Sequence, residues 1–127
     1  MAEEKIKILV VDDDLAVCQF LCDFLQQKGY EPVRAFSGEE ALRKLKPENP
    51  RLVLLDYSMP GLTGLETLTH IRAKDPKIGV IMVTAVQDEA VWKQAQALGA
   101  YAYVLKPVDF KYLEMLITTK LMLMESA

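Results

Sequence analysis

Ile6-Lys7-Ile8-Leu9-Val10-Val11-Asp12-Asp13-Asp14 is an apolar, β-branched run that ends abruptly in three acids, and Leu52-Val53-Leu54-Leu55-Asp56 repeats the arrangement downstream. A run that stays apolar without alternating is a strand buried on both faces, as in a parallel sheet covered by helices. Two such runs deliver carboxylates to the same edge of one sheet. Further along, Ile78 to Val83 leads into Thr84, and Tyr101 to Leu105 leads into Lys106. Ligand chemistry in an open parallel α/β sheet gathers at the carboxyl ends of its strands. Asp12, Asp13, Asp56, Thr84 and Lys106 therefore form the candidate site.

Between these strands the apolar period becomes helical. Leu15 to Lys28 carries Val17, Leu21, Phe24 and Leu25 on one face and stops at Gly29. Pro32 to Ala35 reads as a short second strand, placed at a sheet edge by its proline. Ser37 caps a helix running to about Lys46, with Glu40 predicted to complete a capping box. Pro60-Gly61 marks a loop, a third helix runs from about Thr63 to Lys74, and a fourth from Asp88 to Leu98 is closed by Gly99. Asp109 caps the last helix. Strict alternation with right-handed crossovers implies an α/β fold, a parallel sheet with helices on both faces.

The chain has 127 residues, 51% of them apolar and 26% charged, which suits one globular domain. Its net charge of -3 argues against a nucleic-acid surface on this segment. The opening MAEEKIK balances two Glu against two Lys and leads straight into a strand, and no apolar run approaches the roughly 20 residues of a membrane span, so a cytoplasmic setting is expected. Cys18 and Cys22 lie four apart without a further Cys or His pair at metal-ligand spacing, and read as small core residues. His70 reads as a solvated helix residue.

If the first and third strands are neighbours, their acids meet. Two carboxylates about 4 Å apart repel by roughly 4 kcal/mol at an effective dielectric near 20, which protonates one of them or recruits a cation. Hard oxygen ligands with room for water favour Mg²⁺. A metal beside a carboxylate, a hydroxyl and an amine suits phosphoryl transfer, with Asp56 itself able to form an acyl phosphate. Thr84 can donate to a phosphoryl oxygen and Lys106 supplies positive charge. The Lys106-Pro107 bond is of the type whose cis form costs only about 0.5 to 1 kcal/mol.

Taken together, Val-Val-Asp12-Asp13-Asp14, Leu-Leu-Asp56-Tyr-Ser-Met59-Pro60-Gly61-Leu-Thr-Gly64, Met-Val-Thr84-Ala85 and Gly99-Ala100-Tyr-Ala-Tyr103-Val-Leu-Lys106-Pro107 resemble the receiver domain of bacterial two-component response regulators, from about Lys5 to Met124. The resemblance implies a flavodoxin-like, doubly wound sheet of five strands in the order 2-1-3-4-5 with five helices. It implies that Asp56 accepts a phosphoryl group from a sensor histidine kinase or phosphotransfer protein. Mg²⁺ would be bound by Asp13, Asp56 and the backbone carbonyl of Ser58, with Asp12 acting largely through water. Thr84 and Tyr103 match the family's switch pair.

An output surface on the fourth helix, fifth strand and fifth helix, around Trp92, Tyr101, Tyr103 and Lys111, would engage an effector domain or a second copy of the chain. Catalysis would be confined to the domain's own phosphorylation and dephosphorylation. The span 1–127 is expected to be one receiver domain, either whole or the N-terminal part of a longer regulator. Two competing readings are a metal-dependent phosphatase with an aspartyl nucleophile and a flavin module. The first needs a carboxylate two residues after Asp56, where Ser58 stands; the second needs a phosphate loop where this chain has Asp12-Asp13-Asp14. A receiver degraded to a binding scaffold would not keep all five site residues.

Overall fold

The computed structural model describes residues 4–126, so Met1 to Glu3 and Ala127 lie outside the described residues. Strand and helix alternate five times: β1 Lys7–Val11, α1 Leu15–Gln27, β2 Glu31–Ala35, α2 Gly38–Glu48, β3 Leu52–Leu55, α3 Gly64–Lys74, β4 Gly79–Thr84, α4 Glu89–Ala97, β5 Ala102–Leu105 and α5 Phe110–Ser126. All pairings are parallel and the order is β2-β1-β3-β4-β5, the arrangement implied by the resemblance. Pro32 lies on the edge strand β2, where a missing N–H costs no ladder bond on the open side.

Alternation along each strand sorts the sheet into two cores. Ile8, Val10, Leu52, Leu54, Ile81, Val83, Ala102 and Val104 pack beneath α1 and α5, against residues such as Cys18, Leu25, Leu113 and Ile117. Leu9, Val11, Val53, Leu55, Val80 and Met82 face the other way, against α2, α3 and α4 through Ala41, Leu68, Ile71 and Ala95. Every residue of β3 and β4 is buried, which explains their uninterrupted apolar sequence. No described helix is long and apolar enough to cross a membrane.

The helix ends differ from expectation in two places. α2 does not stop at Lys46 but runs through Pro47 to Glu48, and Asn49 closes it in a left-handed conformation (φ 51°); proline's fixed φ is helical, so in a last turn it forfeits one hydrogen bond without ending the helix. The capping box predicted at Ser37 is only half formed. Ser37 Oγ accepts from Glu40 N–H at 3.0 Å, whereas the Glu40 carboxylate accepts from Phe36 N–H at 2.6 Å, one residue too early. The full box is at α3, where Thr63 Oγ1 accepts from Glu66 N–H at 3.2 Å and Glu66 accepts from Thr63 N–H at 2.9 Å. Asp14 caps α1, accepting from Ala16 and Val17 N–H, and Asp109 accepts from Tyr112 N–H at the start of α5.

Gly64 opens α3 where it leaves the strand that ends at Asp56. A Cβ there would lie 2.6 Å from Tyr57 Cα and overlap the Asp56 carbonyl oxygen. Backbone cannot step aside as a flexible side chain can. Gly64→Ala is therefore expected to cost about 2 to 3 kcal/mol, the upper range for overpacking a tight site. Gly29→Ala meets no neighbour within 4 Å and should cost only the roughly 1 kcal/mol of a left-handed φ. Urea unfolding of the two variants at unchanged m checks the ranking, and equal midpoints would show that the loop after β3 yields.

Candidate functional site

Register brings the site together. Val11 pairs with Leu55 and Leu55 with Met82, so Asp12 and Asp56 are the next residues on adjacent strands. The ladder continues through them: Asp56 N–H donates to Val11 O at 3.0 Å and Asp12 N–H to Ala35 O at 3.1 Å. On the far side Lys106 N–H donates to Thr84 O at 2.9 Å, and the Lys106–Pro107 peptide bond is cis. Continuing the strand alternation, Asp12, Asp56 and Lys106 follow Val10, Leu54 and Val104 toward α1 and α5. Thr84 follows Met82 toward α4, on the side where Tyr103 packs.

The Lys106 ammonium reaches across the sheet edge to Asp12 Oδ2 at 2.7 Å and Asp56 Oδ2 at 3.4 Å. Asp12 and Asp56 are buried, at 2% and 5% exposure, while Asp13 is exposed. Carboxylate oxygens of all three acids lie within 4.8 Å of one another. Asp12 Oδ1 is occupied by the N–H of Asp14 at 2.9 Å. Asp56 Oδ1 is fully buried with no hydrogen-bond partner, an orphan that costs about 1 to 3 kcal/mol where nothing fills the gap.

The charges do not balance. Burial raises the Asp12 carboxyl above its ordinary pKa even against its hydrogen bonds from Lys106 and Asp14, and the nearby Asp56 charge adds to the rise. Burial also disfavours the Lys106 ammonium, but Asp12 and Asp56 outweigh it and raise that pKa. A lone ion pair would lower its acid while raising its base. Here both rise, chiefly because burial outweighs the ammonium at Asp12, with a smaller addition from Asp56, while at Lys106 the two carboxylates together outweigh burial. An added cation would remove the conflict.

Thr84 is fully buried at the end of β4. Its Oγ1 accepts from Val86 N–H at 3.2 Å, and the Tyr103 hydroxyl donates to Val86 O at 2.5 Å. The two expected switch residues thus grip the N–H and C=O of one residue from opposite sides. Tyr103 also packs on Trp92 of α4, ring centroids 5.4 Å apart. Ser58 is exposed two residues beyond Asp56, and His70 is exposed on α3, outside the cluster. Cys18 and Cys22 are buried in the core as free thiols.

Two features escaped the sequence reading. The role of Val86 lies in its backbone, which no side-chain pattern reports. Gly64 stands in a quoted motif, yet its need to touch the Asp56 backbone shows only once α3 is folded over β3.

Comparison with known proteins agrees with this geometry. The model of the response regulator receiver domain matches residues 8–118. The transcriptional regulatory protein ZraR of Salmonella typhimurium is 38% identical over 114 residues, covering 90% of this chain and 26% of that protein, so the chain spans about a quarter of that relative's length. A CheY-like receiver domain protein from Methanospirillum hungatei superposes with a TM-score of 0.93 at 32% identity, covering 97% of this chain and 98% of that one. The CheY of a CheX-CheY-BeF3-Mg²⁺ complex from Borrelia burgdorferi superposes with a TM-score of 0.85 at 29% identity, covering 90% and 87% of the two chains. With its five-stranded 2-1-3-4-5 sheet and an acidic cluster at the carboxyl edge, the chain belongs to the response regulator receiver domains.

Proposed function

We propose that Asp56 is the phosphoacceptor of this receiver and that Asp12, Asp13 and Asp56 hold Mg²⁺ beside it. The observation that carries the reading is the unpartnered, buried Oδ1 of Asp56 within a three-acid cluster that one ammonium does not neutralise. Those donors fit a hard divalent ion that keeps part of its water, with the backbone carbonyl of Ser58 as a further oxygen ligand. When bound, the ion offsets carboxylate charge and screens the incoming phosphoryl group. The complex with beryllofluoride and Mg²⁺ reported for the 29%-identical relative supports the assignment.

The chain's own residues do the rest. An Asp56 carboxylate oxygen attacks phosphorus, an O–P bond forms, and the P–N bond to a donor phosphohistidine breaks as its imidazole leaves. Lys106 shifts from a carboxylate partner to a phosphoryl oxygen. The new group carries about -1.5 to -2 charge, so Thr84 Oγ1 turns its hydroxyl hydrogen toward it and releases the Val86 N–H it now accepts. That exchange biases the Val86 loop and Tyr103 between two states. Chemistry is confined to the domain's own acyl phosphate, and the donor is a sensor histidine kinase or phosphotransfer protein.

The output partner we assign is a second copy of this chain or an effector domain at α4, β5 and α5, where Tyr101 and Tyr103 are half-buried and Lys111 is exposed. On α5, Tyr112, Met115 and Leu123 are exposed at 45%, 54% and 53%. Spaced along one side of the helix, they add an outward apolar stripe to the inward one of Leu113, Ile117 and Leu121.

Three outcomes are expected. Asp56→Asn keeps the fold but loses phosphoryl uptake from a small-molecule donor such as acetyl phosphate, read by intact mass; retained uptake at another residue would overturn the assignment. Lys106→Met removes the only ammonium on the cluster among the described residues, so Mg²⁺ affinity by titration calorimetry at low salt should rise about tenfold or more while phosphoryl uptake falls; unchanged affinity would mean that lysine and metal do not compete. Sedimentation with Mg²⁺ and beryllofluoride should show self-association that Met115→Lys with Leu123→Lys abolishes, and identical mass with and without the mimic would remove the homodimer.

A further inference from the structure

α4 is held very differently at its two ends. At the carboxyl end Leu98 N–H donates to Gln94 O at 3.1 Å, Gly99 N–H to Gln96 O at 2.9 Å and Ala100 N–H to Ala95 O at 2.9 Å. The guanidinium of Arg72, reaching over from α3, adds a clamp. Its Nε donates to Leu98 O at 3.2 Å, one terminal nitrogen to Gly99 O at 2.8 Å, and the other to Ile78 O, at the start of the sheet, at 2.5 Å. Gly99 has φ +93°, and a Cβ there would lie 2.7 Å from Arg72 Nε, so glycine lets the guanidinium close on the turn. Among the described residues no carboxylate forms an ion pair with Arg72; its donors are spent on carbonyls of a helix end and a strand start.

The amino end has no such clamp. It is capped locally by Asp88, which accepts from Ala90 and Val91 N–H, and the loop before it is held by the bonds of Val86 to Thr84 and Tyr103. Of the nine residues of α4 only Val91 and Ala95 are buried. The holds on that end are therefore those that phosphorylation would rearrange, while the holds on the other end lie at the opposite edge of the sheet.

We propose that Arg72 is a positioning residue that pins the carboxyl end of α4, so that rearrangement at Thr84 and Tyr103 swings its amino end alone. The proposal rests on the reading that the Asp56 site takes a phosphoryl group. A helix is stiff along its axis, and nine residues span about 13 Å. With one end fixed, a small displacement of the Val86 loop becomes a tilt; with neither end fixed, it becomes a slide that leaves the exposed face nearly unchanged. The only tryptophan of the chain, Trp92, sits in the swinging half against Tyr103.

The test is amide exchange and chemical-shift mapping by NMR on the whole chain and on Arg72→Met and Arg72→Lys. Without any ligand, Arg72→Met should speed exchange of the Leu98 and Gly99 amides about tenfold or more while the β3 and β4 amides hold their rates, with Arg72→Lys in between. With Mg²⁺ and beryllofluoride, wild-type shift changes in α4 should concentrate at Glu89 to Trp92 and spare Ala95 to Leu98, whereas Arg72→Met should spread them along the whole helix. Leu98 and Gly99 exchange within about twofold of wild type in Arg72→Met would overturn the clamp. Equal wild-type changes in both halves of α4 would overturn the pivot. Absence of any wild-type response to the mimic would overturn the phosphoryl reading and the pivot with it, and is told apart from clamp failure because the ligand-free exchange is measured separately.

Discussion

Everything at the carboxyl edge of this sheet follows from the pairing of β1 with β3. Because Val11 and Leu55 are register partners, the residues after them must be neighbours, and both are aspartates. Strands lie about 4.8 Å apart in a sheet, so two carboxylates are forced together at a depth where water cannot screen them. Lys106, arriving from β5 two strands away, relieves the repulsion in part. It does not cancel it, because one ammonium faces two buried acids and a third exposed one. A cation bound there, as proposed, would offset the surplus charge and lower the repulsion met by a phosphoryl anion.

The same alternation that builds two cores also divides the site by task. Even-numbered residues of β1, β3 and β5 point toward α1 and α5, and with them go Asp12, Asp56 and Lys106. Thr84 and Tyr103 belong to the face covered by α4. The charged cluster thus lies on one side of the sheet and the proposed switch pair on the other, and the two approach each other at the carboxyl edge. Thr84 closes that short path, since its hydroxyl already holds the Val86 N–H.

Much of this was legible in the sequence because burial leaves a pattern. The unbroken apolar runs of β3 and β4, the proline of β2 and the polar residues at the ends of β1, β3, β4 and β5 are direct consequences of where each segment sits, and they mark the strands and the five candidate site residues. The misreadings have a common cause. The second helix is expected to end at about Lys46 and Glu40 to complete a capping box, but both depend on reach within a single turn, where a small displacement changes the partner without changing the pattern. Arg72 carried no signal at all. A lone arginine near a helix end is usually solvated, and only the fold brings three carbonyls from two separate segments around it.

The proposed switch needs two states close in energy, and the hydrogen bonds around Val86 are the contacts that would differ between them. In the proposed exchange, Thr84 would leave the Val86 N–H for a phosphoryl oxygen and trade one part-buried hydrogen bond for another, so the net change would be set by charge and not by the number of bonds. A neutral–neutral bond contributes about 1 kcal/mol and one to a charged group about 1.5 to 3, leaving a bias of roughly 0.5 to 2 kcal/mol. By itself that shifts a population by about two- to thirtyfold, enough to reweight two conformations that already exist and too little to create one. The amino end of α4, with Val91 as its one buried side chain and a local cap, is held loosely enough to answer to a bias of that size, whereas the five-stranded sheet beneath it is not.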